Sequence, residues 1–191
     1  RVLFRSSPED WTAVERPPIS LDDAALDLLL EANLDHPDLL ELVLRRRIDE
    51  GDELDETSVA LLDRYAAARP VDPYPHRVLA RHLLAEGRGD EAIPHLVELD
   101  LRSEKDPGYA LEIARQARAT GDAGVAFDAA ERAARMNAYD PGTRELAASC
   151  AIEAGRFDDA RRHILALTIL EPGQPRHARR LEAIDRLIRS R

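Results

Sequence analysis

At 191 residues, 44% hydrophobic and 34% charged, the chain is long enough to bury one or two cores. Its net charge of −10 argues against nucleic acid and anionic membrane as partners, because both reward basic surface. Only 4% of residues are aromatic, β-branched residues are sparse, and Ala, Leu, Arg, Glu and Asp dominate, which predicts an all-α fold without strands.

The first six residues, RVLFRS, match the translation of a common sequencing-adapter ending, CGTGTGCTCTTCCGATCT, and read as appended sequence outside the fold. The chain is therefore expected to be the C-terminal part of a larger bacterial protein, a metagenomic fragment whose default compartment is the cytoplasm. Lys105 is the only lysine, so Arg is the general basic residue of this sequence. Residues 7–19, with Pro17 and Pro18, read as a linker. Ser20-Leu21-Asp22-Asp23 reads as a capping box opening a helix to about Asn33. Asp35-His36-Pro37-Asp38 opens a second helix, and a third runs from near Glu56 to Arg69, before Pro70. Residues 20–72 are read as degenerate helical repeats.

From Pro73 onward a fixed period takes over. Gly87, Gly121 and Gly155 are 34 residues apart, as are Ala92, Ala126 and Ala160, and as are Pro73, Pro107, Pro141 and Pro175. Numbering each unit from its proline, apolar or small residues recur at positions 7, 8 and 11, such as Leu79, Ala80 and Leu83, and again at 20, 24 and 27. These spacings place two apolar stripes on two helices joined by a turn at positions 14 to 17. Small residues at 8 and 20 let the helices approach; Gly at 15 ends the first helix in a left-handed conformation. Three units follow, 73–106, 107–140 and 141–174. The segment 175–191, apolar at Ala178, Leu181, Ile184 and Leu187 and charged elsewhere, closes the array as a capping helix. Pro94 is expected in the first turn of its helix, where amides have no internal partner.

This pattern resembles the tetratricopeptide repeat, TPR. Its residues here are Ala at position 8, Gly at 15, Ala at 20, apolar residues at 24 and 27, the aromatic Phe157 at 17 and the late Pro172 at 32. Position 4, aromatic in the family, is His76, Ala110 and Arg144, and position 8, Gly in the family, is Ala. The resemblance implies an α-α superhelix, a right-handed solenoid of about ten helices, and a protein-interaction scaffold that binds a peptide or partner in the concave groove of its first helices. The family's groove positions are here Tyr74, Arg77, Arg81 and Leu84 in the first unit and Leu111, Arg115 and Arg118 in the second, a basic strip suited to an anionic peptide. The chaperone-tail clamp of the family is not expected, because Glu112, Gly142 and Leu146 stand where it needs Asn and Lys.

No catalytic, cofactor or metal motif is present, and the chain itself is expected not to be an enzyme. The six histidines are read as unclustered: His76 and His82 face apart on one helix, and His95 and His163 lie two units apart. Cys150, the only cysteine, reads as a buried small hydrophobe. The alternative function is that of an accessory, substrate-positioning region of a larger bacterial enzyme, such as a peptidase, whose catalytic domain lies upstream. A third is a repeat protein that associates with itself through its N-terminal edge.

Overall fold

Three glycines set the phase of the molecule. Gly87, Gly121 and Gly155 have φ values of 72°, 84° and 69°, where a side chain is disfavoured. After each, the next N–H donates to the carbonyl five residues back at 2.8 Å: Arg88 to Leu83, Asp122 to Ala117, Arg156 to Ala151. The glycine N–H itself donates three residues back, as from Gly87 to Leu84 at 3.1 Å. Both bonds satisfy carbonyls that the helix end would leave bare and reverse the chain for the next helix.

The computed structural model describes residues 23–33, 35–48, 54–103 and 105–190. The adapter-like residues 1–6, the linker 7–19 and the start of the capping box at Ser20 lie outside these. The described residues form ten helices and no strand. In the N-terminal part these are α1 (Asp23–Ala32), α2 (Pro37–Arg47) and α3 (Glu56–Ala68). The three units supply α4 (Tyr74–Ala85) and α5 (Gly89–Leu101), α6 (Gly108–Ala119) and α7 (Ala123–Met136), and α8 (Pro141–Glu153) and α9 (Phe157–Leu170). The last helix is α10 (Pro175–Arg189). Each helix packs on the next, and α6 also touches α8, so first helices form one row and second helices another. No helix among the described residues is long and apolar enough to cross a membrane.

The repeat's stripes become the core. Positions 7, 8 and 11 of all three units are buried, as are 20, 24 and 27. Many of these side chains are alanine, so burial per residue is small and the backbones come close instead. Cys150, at position 10 of its unit, is buried beside them, and burial pushes its thiol up from the ordinary range. A second core, built on Leu40, Leu44, Leu62 and Tyr65, holds α1 to α3. The two cores meet on α4: Val78 and Leu79 belong to this N-terminal core, Ala80 and Leu83 to the core of the repeats.

Helix starts follow two patterns. Asp55, Asp122 and Asp140 are N-caps, accepting from the N–H of Ser58, Val125 and Thr143 at 2.7, 3.0 and 2.6 Å. Hydrogen bonds from Ser58 and Thr143 hold the Asp55 and Asp140 carboxyls below their usual range. The α5 and α9 helices begin after Arg88 and Arg156 without a side-chain cap, and Asp90 and Asp158 place negative charge in the first turn instead.

Two expectations are corrected. Pro94 is five residues past Gly89, inside α5, where its missing N–H and its ring cost a ladder bond to Asp90. In α10, Ala178 and Leu187 face solvent. The buried side runs instead through His177 and Ile184, with Leu181 and Ile188 partly covered. His177 is not among the apolar residues expected to form the stripe, yet its ring is fully buried, with Nε2 at 2.7 Å from Glu171.

Candidate protein-binding groove

Arginine accounts for nearly all the basic charge, and most of it is spent. Arg69, Arg88, Arg102, Arg132, Arg161 and Arg162, among others, each pair with a carboxylate. Several pairs cross between units: Arg118 with Glu153 at 2.7 Å, Arg180 with Glu145 at 2.5 Å, and Arg132 with the buried Asp100 at 2.6 Å. A paired arginine has little left to offer a ligand, so the unpaired ones mark where charge is available.

Arg77 and Arg81 are unpaired. They stand one turn apart on α4, both exposed, and neither has an ion-pair partner among the described residues. They line a cavity of about 490 Å³ between α4 and α6, floored by Ala80, Leu84, Leu96 and Leu99. Tyr109 lies on the α6 side, where Asp106 and Glu112 add negative charge. The cavity is thus apolar at its base, cationic on one wall and anionic on the other. An extended segment with one apolar side chain between charged neighbours matches that arrangement.

The expected groove residues fall into two neighbouring cavities. Arg77, Arg81 and Leu84 share the one just described. Leu111, Arg115 and Arg118 line a second, of about 340 Å³ between α6 and α8, together with Glu145 and Ser149. There the charges are already satisfied: Arg115 meets Glu112 at 3.1 Å and Arg118 meets Glu153. Tyr74 lines neither cavity. Its ring packs edge-on against Tyr65 at 6.3 Å between centroids, with the Arg45 guanidinium 5.8 Å above it. It ties α4 to the N-terminal core. Among the expected groove residues, the unpaired cations are therefore only the two on α4, a shorter strip than the sequence suggested.

Two histidine contacts were not foreseen, and the first overturns the reading of the histidines as unclustered. His76 and His95, on α4 and α5, face each other with Nδ1 atoms 3.2 Å apart. His163, fully buried on α9, bridges Arg144 and Glu131. Arginine only donates, so Nδ1 of His163 accepts from Arg144 at 3.1 Å and Nε2–H donates to Glu131 at 2.8 Å. The ring is neutral in that arrangement. Burial, aided by the charges of Arg144 and Arg162, holds His163 below the usual histidine range against the pull of Glu131. For Glu131, burial acts upward, but the His163 bond and the charges of His163, Arg162 and Arg135 carry it below the usual range.

Helical hairpins repeated every 34 residues, stacked in two rows with glycine-ended first helices, define an α-α solenoid. Comparison with solved structures places the chain in the TPR-like fold. YrrB, described as a TPR protein with an unusual peptide-binding site, aligns with a TM-score of 0.56 at 15% identity over 87% of this chain and 85% of its own. MamA from Desulfovibrio magneticus RS-1 aligns with a TM-score of 0.52 at 13% identity over 78% and 83%. A D159K mutant of MamA gives 0.54 at 18% identity over 78% and 83%. No protein-family profile and no curated protein sequence matches the chain.

Proposed function

We propose that the protein is a protein-interaction scaffold whose first-helix row binds an extended peptide segment at the cavity between α4 and α6. The observation that carries this is the pair Arg77 and Arg81, unpaired among the described residues in a chain whose other arginines are mostly paired, beside an apolar cavity. In the bound state an acidic residue of the partner meets Arg77 and Arg81, and an adjacent apolar side chain fills the floor over Leu84 and Leu96. The fold shared with YrrB, described as having a peptide-binding site, supports a peptide as ligand. The reading assigns no reaction to this chain.

The test is selection of a displayed random-peptide library on the purified protein, followed by affinity measurement with the charge-reversed double variant Arg77→Glu, Arg81→Glu. Selected peptides should share an acidic residue next to an apolar one. Their affinity should fall about tenfold or more in the double variant, as for loss of two charge-assisted contacts. Arg189→Glu on α10 serves as the distant control and should bind normally. Peptides with no acidic preference, or unchanged affinity after charge reversal, overturn the site.

A further inference from the structure

His76 and His95 present a geometry that the groove does not use. Their Nδ1 atoms lie 3.2 Å apart, with ring centroids at 5.4 Å and planes tilted by 44°. Two imidazole lone pairs aimed at one another repel unless something positive lies between them, a proton or a metal ion. The separation suits a metal: bonds of about 2.0–2.1 Å at a tetrahedral angle put two nitrogens roughly 3.3 Å apart. Both rings are only partly buried, so an ion has a way in. The surrounding charge is favourable. Asp63 on α3 acts on His95, and Glu98 on α5, itself paired with Arg102 at 2.7 Å, acts on His76.

No third His, Cys, Asp or Glu joins them closely enough to complete a cage among the described residues. An ion held here would have two imidazole ligands and water on its remaining positions. We propose that His76 and His95 form a two-imidazole site for a divalent late transition-metal ion, Zn²⁺, Ni²⁺ or Cu²⁺, that clips α4 to α5. Imidazole suits all three, and Cu²⁺ binds most tightly of them. Because the ligands come from both helices of one hairpin, binding favours the folded chain.

Titration calorimetry of the intact chain with Zn²⁺ and with Cu²⁺ near neutral pH tests this, alongside thermal unfolding. One ion per chain should bind, Cu²⁺ more tightly than Zn²⁺, and each should raise the unfolding midpoint. His76→Phe, which keeps a ring at that position, and His95→Gln should each weaken binding about tenfold or more. His36→Gln, altering an exposed histidine elsewhere, should not. A second measurement avoids substitution: substoichiometric Cu²⁺ should broaden the ring resonances of His76 and His95 before those of the other four histidines. No uptake up to about 100 µM ion, uptake indifferent to both substitutions, or broadening spread evenly over all histidines would each overturn the site, leaving a proton as what joins the rings.

Discussion

Gly121 isolates what a single backbone conformation is worth. A side chain built there would meet nothing within 4 Å, so its φ of 84° is the whole obstacle to substitution. Gly121→Ala should cost about 1–2 kcal/mol of stability without changing the fold, read as a lower urea midpoint at constant slope. His163 offers a test of charge instead. Its folded-state pKa is depressed by burial, so its contribution is fully present above the unfolded value of about 6.5 and is lost as pH falls through and below it. His95, depressed by burial and by the neighbouring His76, acts in the same direction. The urea midpoint should therefore fall on acidification from neutrality. His163→Gln should start lower and fall less steeply; equal steepness in both proteins would remove His163 as a cause. The glycines were legible in the sequence because one conformation demands one residue. The histidine contacts were not, because His76 and His95 lie 19 residues apart on different helices and only packing brings them together.

At the scale of the element, α5 carries a built-in fault. Pro94 interrupts its ladder in the second turn, at an exposed position where little packing compensates. Pro94→Ala should restore the bond to Asp90 and stabilise the protein by about 1–3 kcal/mol, measurable as a raised thermal midpoint; destabilisation would mean that the kink itself is needed. The helix is legible from its period, but the depth of Pro94 within it is not. No side chain caps α5, so nothing in the letters fixed where counting should begin. A similar slip moved the stripe of α10. Hydrophobic periodicity finds apolar residues, and the deepest residue there is His177, held by Glu171. Polar residues that are buried with a partner are invisible to a pattern that sorts by polarity.

Across the whole molecule, charge pairs link each unit to the next. Glu153 answers Arg118 and Arg180 answers Glu145, each pair 35 residues apart along the row of first helices. On the second-helix side, Arg162 and His163 reach back to Glu131. Exposed pairs of this kind contribute little to stability singly, about 0–1 kcal/mol. Their effect is to consume arginines, so that of those lining the two groove cavities only the α4 pair stays unpaired among the described residues. The groove's placement on the first helices was legible from the repeat; which arginines stay available was not, because that depends on partners one unit away.

The meeting of two cores on α4 has a consequence for genetics. Tyr65, fully buried and bonded to Asp72 at 2.5 Å, holds the ring of Tyr74, and Tyr74 opens the helix that presents Arg77 and Arg81. A shortened chain beginning at Pro73 would leave Val78 and Leu79 without their neighbours. It should bind selected peptides more weakly than the full chain even though every cavity residue is retained, a difference that side-by-side affinity measurements would show. Random mutagenesis scored for lost binding should therefore return Leu44, Leu62 and Tyr65 alongside the arginines. Scored on sequence position alone, such variants would be mistaken for a second binding surface, when they report the foundations of the first.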